Sequence, residues 1–237
     1  RCEHVLLVVD LVIFFSLISQ SFRTWDNIVN ILHQNSALAI MAVGVTFVLL
    51  CAEIDLSIAF MATYSGVIAA FLYANLGQAY PDLPGSFAQA LSIGAAVSAC
   101  TVLGFFNGFG TAWLGVPSFM MTLAMLLITK GLALGITRGS PIFKIPPILE
   151  TMGADATYFF GLEIPNIFLA AIVFLATGFF VLRYTRFGRH VYMVGGNRQA
   201  AEYAGINVKA VTAACLCICG TTSGISGVMM IGRMGSA

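Results

Sequence analysis

Apolar runs follow one another along the whole chain, each close to the length a helix needs to cross a bilayer. Val5 to Phe22, Ala37 to Ala52, Ser57 to Leu76, Phe87 to Phe106, a run opening near Pro117, Pro165 to Leu182 and Val208 to Ile231 make seven. A bilayer core takes roughly 20 apolar residues as helix, because lipid offers the backbone no hydrogen-bond partner. Charged residues are 9% of the chain, against about 25% in soluble domains. These features predict one all-α, polytopic transmembrane helical bundle over residues 1–237. The net charge of +1 gives no reason to expect nucleic acid as a partner. The lipid bilayer is the expected surrounding.

The first run is not a cleavable signal, since Gln20 and aromatic residues stand where small residues would mark a cleavage site. Asp10 inside it reads either as an acid on a pathway or as one about a turn from the cytosolic end, facing a neighbouring helix. Phe22 to Asn35 reads as an amphipathic connector in the interface, with Ile28, Ile31 and Leu32 at helical spacing and Trp25 in an aromatic belt. His33 has no second ligand at metal spacing.

Between the second and third runs lies CAEIDLS. Glu53 and Asp55 are its acids, in about forty otherwise apolar residues. Either they sit on a tight cytosolic turn with Asp55 or Ser57 capping the next helix, or the helix breaks at membrane depth and the acids line a water-filled path. Phe87 to Phe106 is rich in small residues that let helices pack closely in lipid, and Gly220, Gly224 and Gly227 give the last run a similar face. Lys130, inside the fifth run, is placed to snorkel or to meet an acid.

One hydrophilic island interrupts the pattern, Arg183 to Lys209, RYTRFGRHVYMVGGNRQAAEYAGINVK. It holds Arg183, Arg186, Arg189, Arg198 and Lys209, five of the eleven Lys and Arg residues. Its centre predicts a very short helix, Arg198 to Ala204, with Asn197 as N-cap and Gly205 as stop. Two turns are not stable alone in water, so this helix must dock on something. Ala200, Ala201, Ala204 and Gly205 would let a partner approach its backbone. Arg198 and Glu202 stand four apart and suit a mutual ion pair. The plainer reading is a basic loop that obeys the positive-inside rule.

TRFGRHVYMVGGNRQAAEYAGINVKAV resembles the coupling-loop segment of bacterial ABC-type sugar importer permeases of the ribose/xylose/arabinose branch, with GGN, AA and GIN in order. GVTFVLLCAEIDLSIAFMATYSGVIAA resembles the family's segment around IDLS, although many members have Gly in place of Glu53 and Ala59. NGFGTAWLGVPSFMMTLAMLLITKGLALGITRGSPI is similar to a third family segment. The resemblance covers about Phe22 to Ala237 and implies a type II ABC importer permease with ten or so spans, so further C-terminal spans are expected after Ala237. It implies a coupling loop over 184–209 whose Asn197, Arg198, Ala200, Ala201, Glu202, Gly205 and Ile206 meet a cytosolic ABC ATPase. It also implies a second permease subunit, in a homodimer, and a periplasmic sugar-binding protein received at the 138–163 loop. Asp55, Ser57, Asn107, Phe119 and Thr122 become candidates for the translocation path.

Topology follows from charge. With 183–209 cytosolic, the less basic 138–163 loop and the 75–86 loop lie outside and the N-terminus inside, in the bacterial inner membrane. Arg23 outside is an exception. No GxxxxGK[ST] loop, HExxH or Ser/His/Asp set appears, so no catalytic residue and no cofactor or metal is assigned to this chain. ATP and Mg are expected on the partner ATPase. Cys215, Cys217 and Cys219 fall on different faces of one helix and read as small apolar residues. The function expected is a permease subunit for ATP-driven monosaccharide import. The competing readings are an ion-coupled transporter or channel using Glu53, Asp55 and Lys130, and a multi-span enzyme, which has no reactive constellation.

Overall fold

The computed structural model describes residues 2–159 and 161–237. Ten helices appear among them: α1 Cys2–Ile18, α2 Trp25–Leu50, α3 Ile58–Ala79, α4 Gly85–Ala112, α5 Ser118–Thr137, α6 Pro147–Gly153, α7 Asn166–Tyr184, α8 Arg186–Gly196, α9 Arg198–Tyr203 and α10 Val208–Met234. Six of them, α2, α3, α4, α5, α7 and α10, are long and apolar enough to cross a membrane. The expected first span, α1, has 17 residues, the shortest length at which helices of this kind span. Asp10 is exposed within α1, and among the described residues α1 packs on little beyond the short 3-10 turn that follows it.

The expected interfacial connector does not exist as a separate element. Thr24 caps α2 by accepting from the Asn27 amide at 3.3 Å, and the helix then runs unbroken from Trp25 to Leu50. The apolar residues at Ile28, Ile31 and Leu32 continue a spanning helix rather than lying flat. The segment between α6 and α7 carries a small hairpin that the all-α expectation did not include: β1 Ala156–Phe159 pairs with β2 Leu162–Pro165, Ala156 opposite Pro165 and Phe159 opposite Leu162. It joins α6 to α7, and His33 of α2 bonds the Gly153 carbonyl at the end of α6.

The core gathers around α10. Seventeen of its 27 residues are buried, and α2, α3, α4 and α6 all pack on it. Contact is backbone to backbone. A Cβ built on Gly220 would stand 2.5 Å from the Cys100 carbonyl oxygen and 2.9 Å from the Gly104 Cα of α4, so the expected small-residue face is present and used. Hydroxyls add hydrogen bonds that lipid cannot compete for. Ser65 donates to the Gly224 carbonyl at 2.8 Å, Ser226 to that of Ala37 at 2.7 Å, and Ser223 to that of Ile58.

Candidate functional site: the short helix and the broken segment

The short helix α9 is built as the spacing predicts. The Asn197 side chain accepts from the Ala200 amide at 3.0 Å, Ala204 is the C-cap, and Gly205 follows at φ +79°, a conformation that favours glycine. The rest of the island is not a loop. Arg186–Gly196 forms helix α8, capped by Thr185. Its Val191 and Val194 face inward and join Phe47 and Val48 of α2 and Val211 and Cys215 of α10 in one apolar cluster. Gly195 is required here, because a Cβ would collide with the Leu50 backbone.

α9 docks on this cluster through Ala201, which is 1% exposed. Ala201 therefore faces the protein's own core and not a partner, contrary to the expectation that it admits one. Ala200, Glu202, Ala204 and Gly205 remain exposed and Ile206 half-buried. Tyr203, which sequence reasoning passed over, is 92% exposed at the helix end. An aromatic beside two alanines in a helix this short is a signal that could have found it.

Arg198 does not pair with Glu202. Its guanidinium reaches away from α9 and donates to Glu53 at 2.9 Å and to Thr212 of α10 at 3.0 Å. This is the one ion pair among the described residues, with side-chain exposures of 50% for Arg198 and 9% for Glu53. It ties α9 to CAEIDLS.

That segment contains the break between α2 and α3. Ala52 takes φ +59°, and residues 53–57 run without helix into α3. Helix α5 clamps the extended backbone, and α4 reaches the Ser57 side chain. The Ile54 amide donates to the Ser118 hydroxyl at 3.2 Å, and the Thr122 hydroxyl lies 3.3 Å from the Ile54 carbonyl. Asp55 accepts from the Ser57 amide at 2.8 Å and from its hydroxyl at 2.6 Å, and Asn107 of α4 donates to that hydroxyl at 3.1 Å. Asp55 thus fixes the residue before α3 rather than capping its first turn. Asp55 Oδ2 and Asn107 Oδ1 find no donor within the described protein. Asp55, Ser57, Asn107 and Thr122 are brought together and buried, while Phe119 stands apart, 49% exposed on the outer side of α5.

The helix is broken, as either account requires, and both acids bond to the protein, Glu53 to Arg198 and Asp55 to Ser57. Among the described residues no three His, Cys, Asp or Glu side chains gather to hold a metal.

Residues 27–237 match the family described as branched-chain amino acid transport system / permease component. The ribose import permease protein of Escherichia coli (strain K12) is 34% identical over 240 residues, covering 99% of this chain and 70% of the relative. The chain belongs to the ABC importer permeases. The D-allose transport system permease protein of the same strain is 32% identical over 232 residues, 98% of this permease and 67% of the relative. The xylose transport system permease protein of Haemophilus influenzae is 27% identical over 295 residues, 98% and 76%. No solved structure matches the permease. It is a multi-pass inner-membrane component of the ribose/xylose branch, and the ATPase of such an importer is a separate subunit.

The outward face of α9 supplies a direct test. Tyr203→Ala should weaken binding of the ATPase subunit by about 2 kcal/mol, roughly 30-fold, as expected for an exposed aromatic anchor. Affinity of the purified ATPase for permease in nanodiscs measures it. Ala201→Arg, by contrast, should melt the packing under α9 and lower thermal stability.

Proposed function

We propose that this permease is one of two identical subunits that form the membrane path of an ATP-driven monosaccharide importer, with its N-terminus in the cytosol. The names of the ribose, allose and xylose relatives support the solute class. The observation that carries the mechanism is the Arg198–Glu53 bridge. ATP, with Mg, closes the ATPase subunits. The exposed residues Asn197, Ala200, Glu202 and Gly205, with Ile206 beneath them, receive that motion at α9. Arg198 passes it to the broken segment, where Asp55, Ser57, Asn107 and Thr122 hold α3, α4 and α5 in register. A rigid-body switch would need this linked element to hold a second arrangement. Phe119 faces the second subunit across the path. A periplasmic binding protein delivers the sugar at the 138–163 loop.

The test is uptake of labelled D-ribose, D-xylose and D-allose into proteoliposomes holding the permease with its ATPase and binding protein. Uptake that needs ATP and survives collapse of the proton gradient is expected. Uptake that needs the gradient and ignores ATP would instead establish the ion-coupled reading.

A further inference from the structure

Lys130 lies well inside α5, seven residues before its end at Thr137, or about 10 Å along the helix axis. Its Nζ sits 5.4 Å from the centroid of the Phe60 ring, near the start of α3. Helical side chains lean toward the N-terminus of their own helix. In α5 that is the cytosolic end, so the ammonium is aimed into the membrane rather than up to the outer headgroups. Neither sequence expectation for Lys130 holds: it does not snorkel, and no carboxylate among the described residues pairs with it. A lysine at this depth facing lipid is costly.

The ammonium lines a groove of about 290 Å³ between α3 and α5, together with Phe60, Thr63, Thr137 and Ser140. Its apolar wall is formed by Val67, Ala133 and Leu134. The volume is at the lower end of small-molecule sites, about 300 Å³ upward. An aromatic face, a cationic donor and three hydroxyls in an otherwise apolar wall match one kind of solute. A sugar ring lays its C–H face on an aromatic ring, while its hydroxyls accept from the ammonium and exchange hydrogen bonds with Ser and Thr. An acyl chain would use the apolar wall and leave the charge unanswered.

We propose that the α3–α5 groove is a monosaccharide contact site on the translocation path, with Phe60 as its floor and Lys130 as its donor. The proposal rests on the transport reading above. Lys130→Cys in the reconstituted importer, with the parent chain as the background control, reports which medium the groove meets. A charged methanethiosulfonate should modify the new thiol from water. Saturation with D-ribose and loaded binding protein should slow that reaction several-fold. In parallel, Lys130→Met should lower ATP-driven ribose uptake by about tenfold, the loss of one charge-assisted hydrogen bond. ATPase rate, subunit assembly and melting temperature should be unchanged, and Lys130→Arg should restore uptake. A thiol that only lipid-soluble reagents reach, or that reacts equally fast with and without sugar, overturns the site, as does unchanged uptake by Lys130→Met. A parent importer that moves none of the three sugars fails earlier, at the transport reading, and takes this proposal with it.

Discussion

Replacing Glu53 by glutamine should leave the permease folded and bound to its ATPase but separate hydrolysis from transport. The amide cannot answer the Arg198 charge, and Arg198, half exposed, turns to water at little cost. Folding stability should therefore change only slightly. Sugar uptake should fall by about tenfold while ATP turnover continues, within the range of coupling energies of about 1–3 kcal/mol. The reverse change, Arg198→Met, should uncouple as well but also lower the melting temperature, because it strands the buried Glu53 carboxylate without its partner. The double exchange Glu53→Arg with Arg198→Glu should recover part of the uptake. Uptake and ATPase rate measured on the same proteoliposomes decide it. If the two fall together in Glu53→Gln, or if neither falls, the bridge does not carry coupling.

The second large effect belongs to the core. Gly220→Ile should cost at least about 3 kcal/mol, beyond the usual range for overpacking, because the added carbons meet backbone and not a side chain that can rotate. The obstacles are the Cys100 carbonyl and the Gly104 Cα, and both belong to α4. Relief requires α4 and α10 to separate along their length, which also breaks the 3.0 Å contact between Thr101 and Thr221. The expected readout is loss of monodisperse permease after detergent extraction, or a melting temperature far below that of the parent. Gly94 of α4 has nothing within 4 Å of its hypothetical Cβ. Gly94→Ala should be neutral or more stable by up to about 1 kcal/mol, since alanine is the better helix former. Equal behaviour of the two variants would show that the α4–α10 contact is loose.

What the sequence made legible is what short-range chemistry decides. Asn197 and Gly205 bracket α9 because caps act within a turn of themselves. The long spans stand out because lipid demands length and apolarity at once. Phe187, Val191 and Val194 repeat at the spacing of helix α8, but Gly188, Gly195 and Gly196 read as loop residues until Gly188 is known to lie against the α7 backbone and Gly195 against that of α2. Ala201 could not be told from Ala200. In a helix of 6 residues the inward face is set by the neighbours, and those come from α2, α8 and α10. The same limit hid Glu53. Its partner lies 145 positions away, and an i,i+4 neighbour for Arg198 was at hand to explain it wrongly. The path candidates from the two segments do converge, except Phe119, whose place on the outer side of α5 depends on a rotation that a uniformly apolar helix does not reveal.

Helix α10 is held at both of its ends, by α9 at one and by α6 at the other. At its start, Ala204 to Asn207 link it to α9. At its far end Gly232 lies against the Leu149 backbone and Gly153 against Arg233, fastening α6 of the outer loop. On the transport reading proposed above, one helix would join the two docking sites and make the two docking events thermodynamic partners. Whatever factor ATP-driven closure imposes on the affinity of the outer protein, the outer protein must impose on the affinity for ATP.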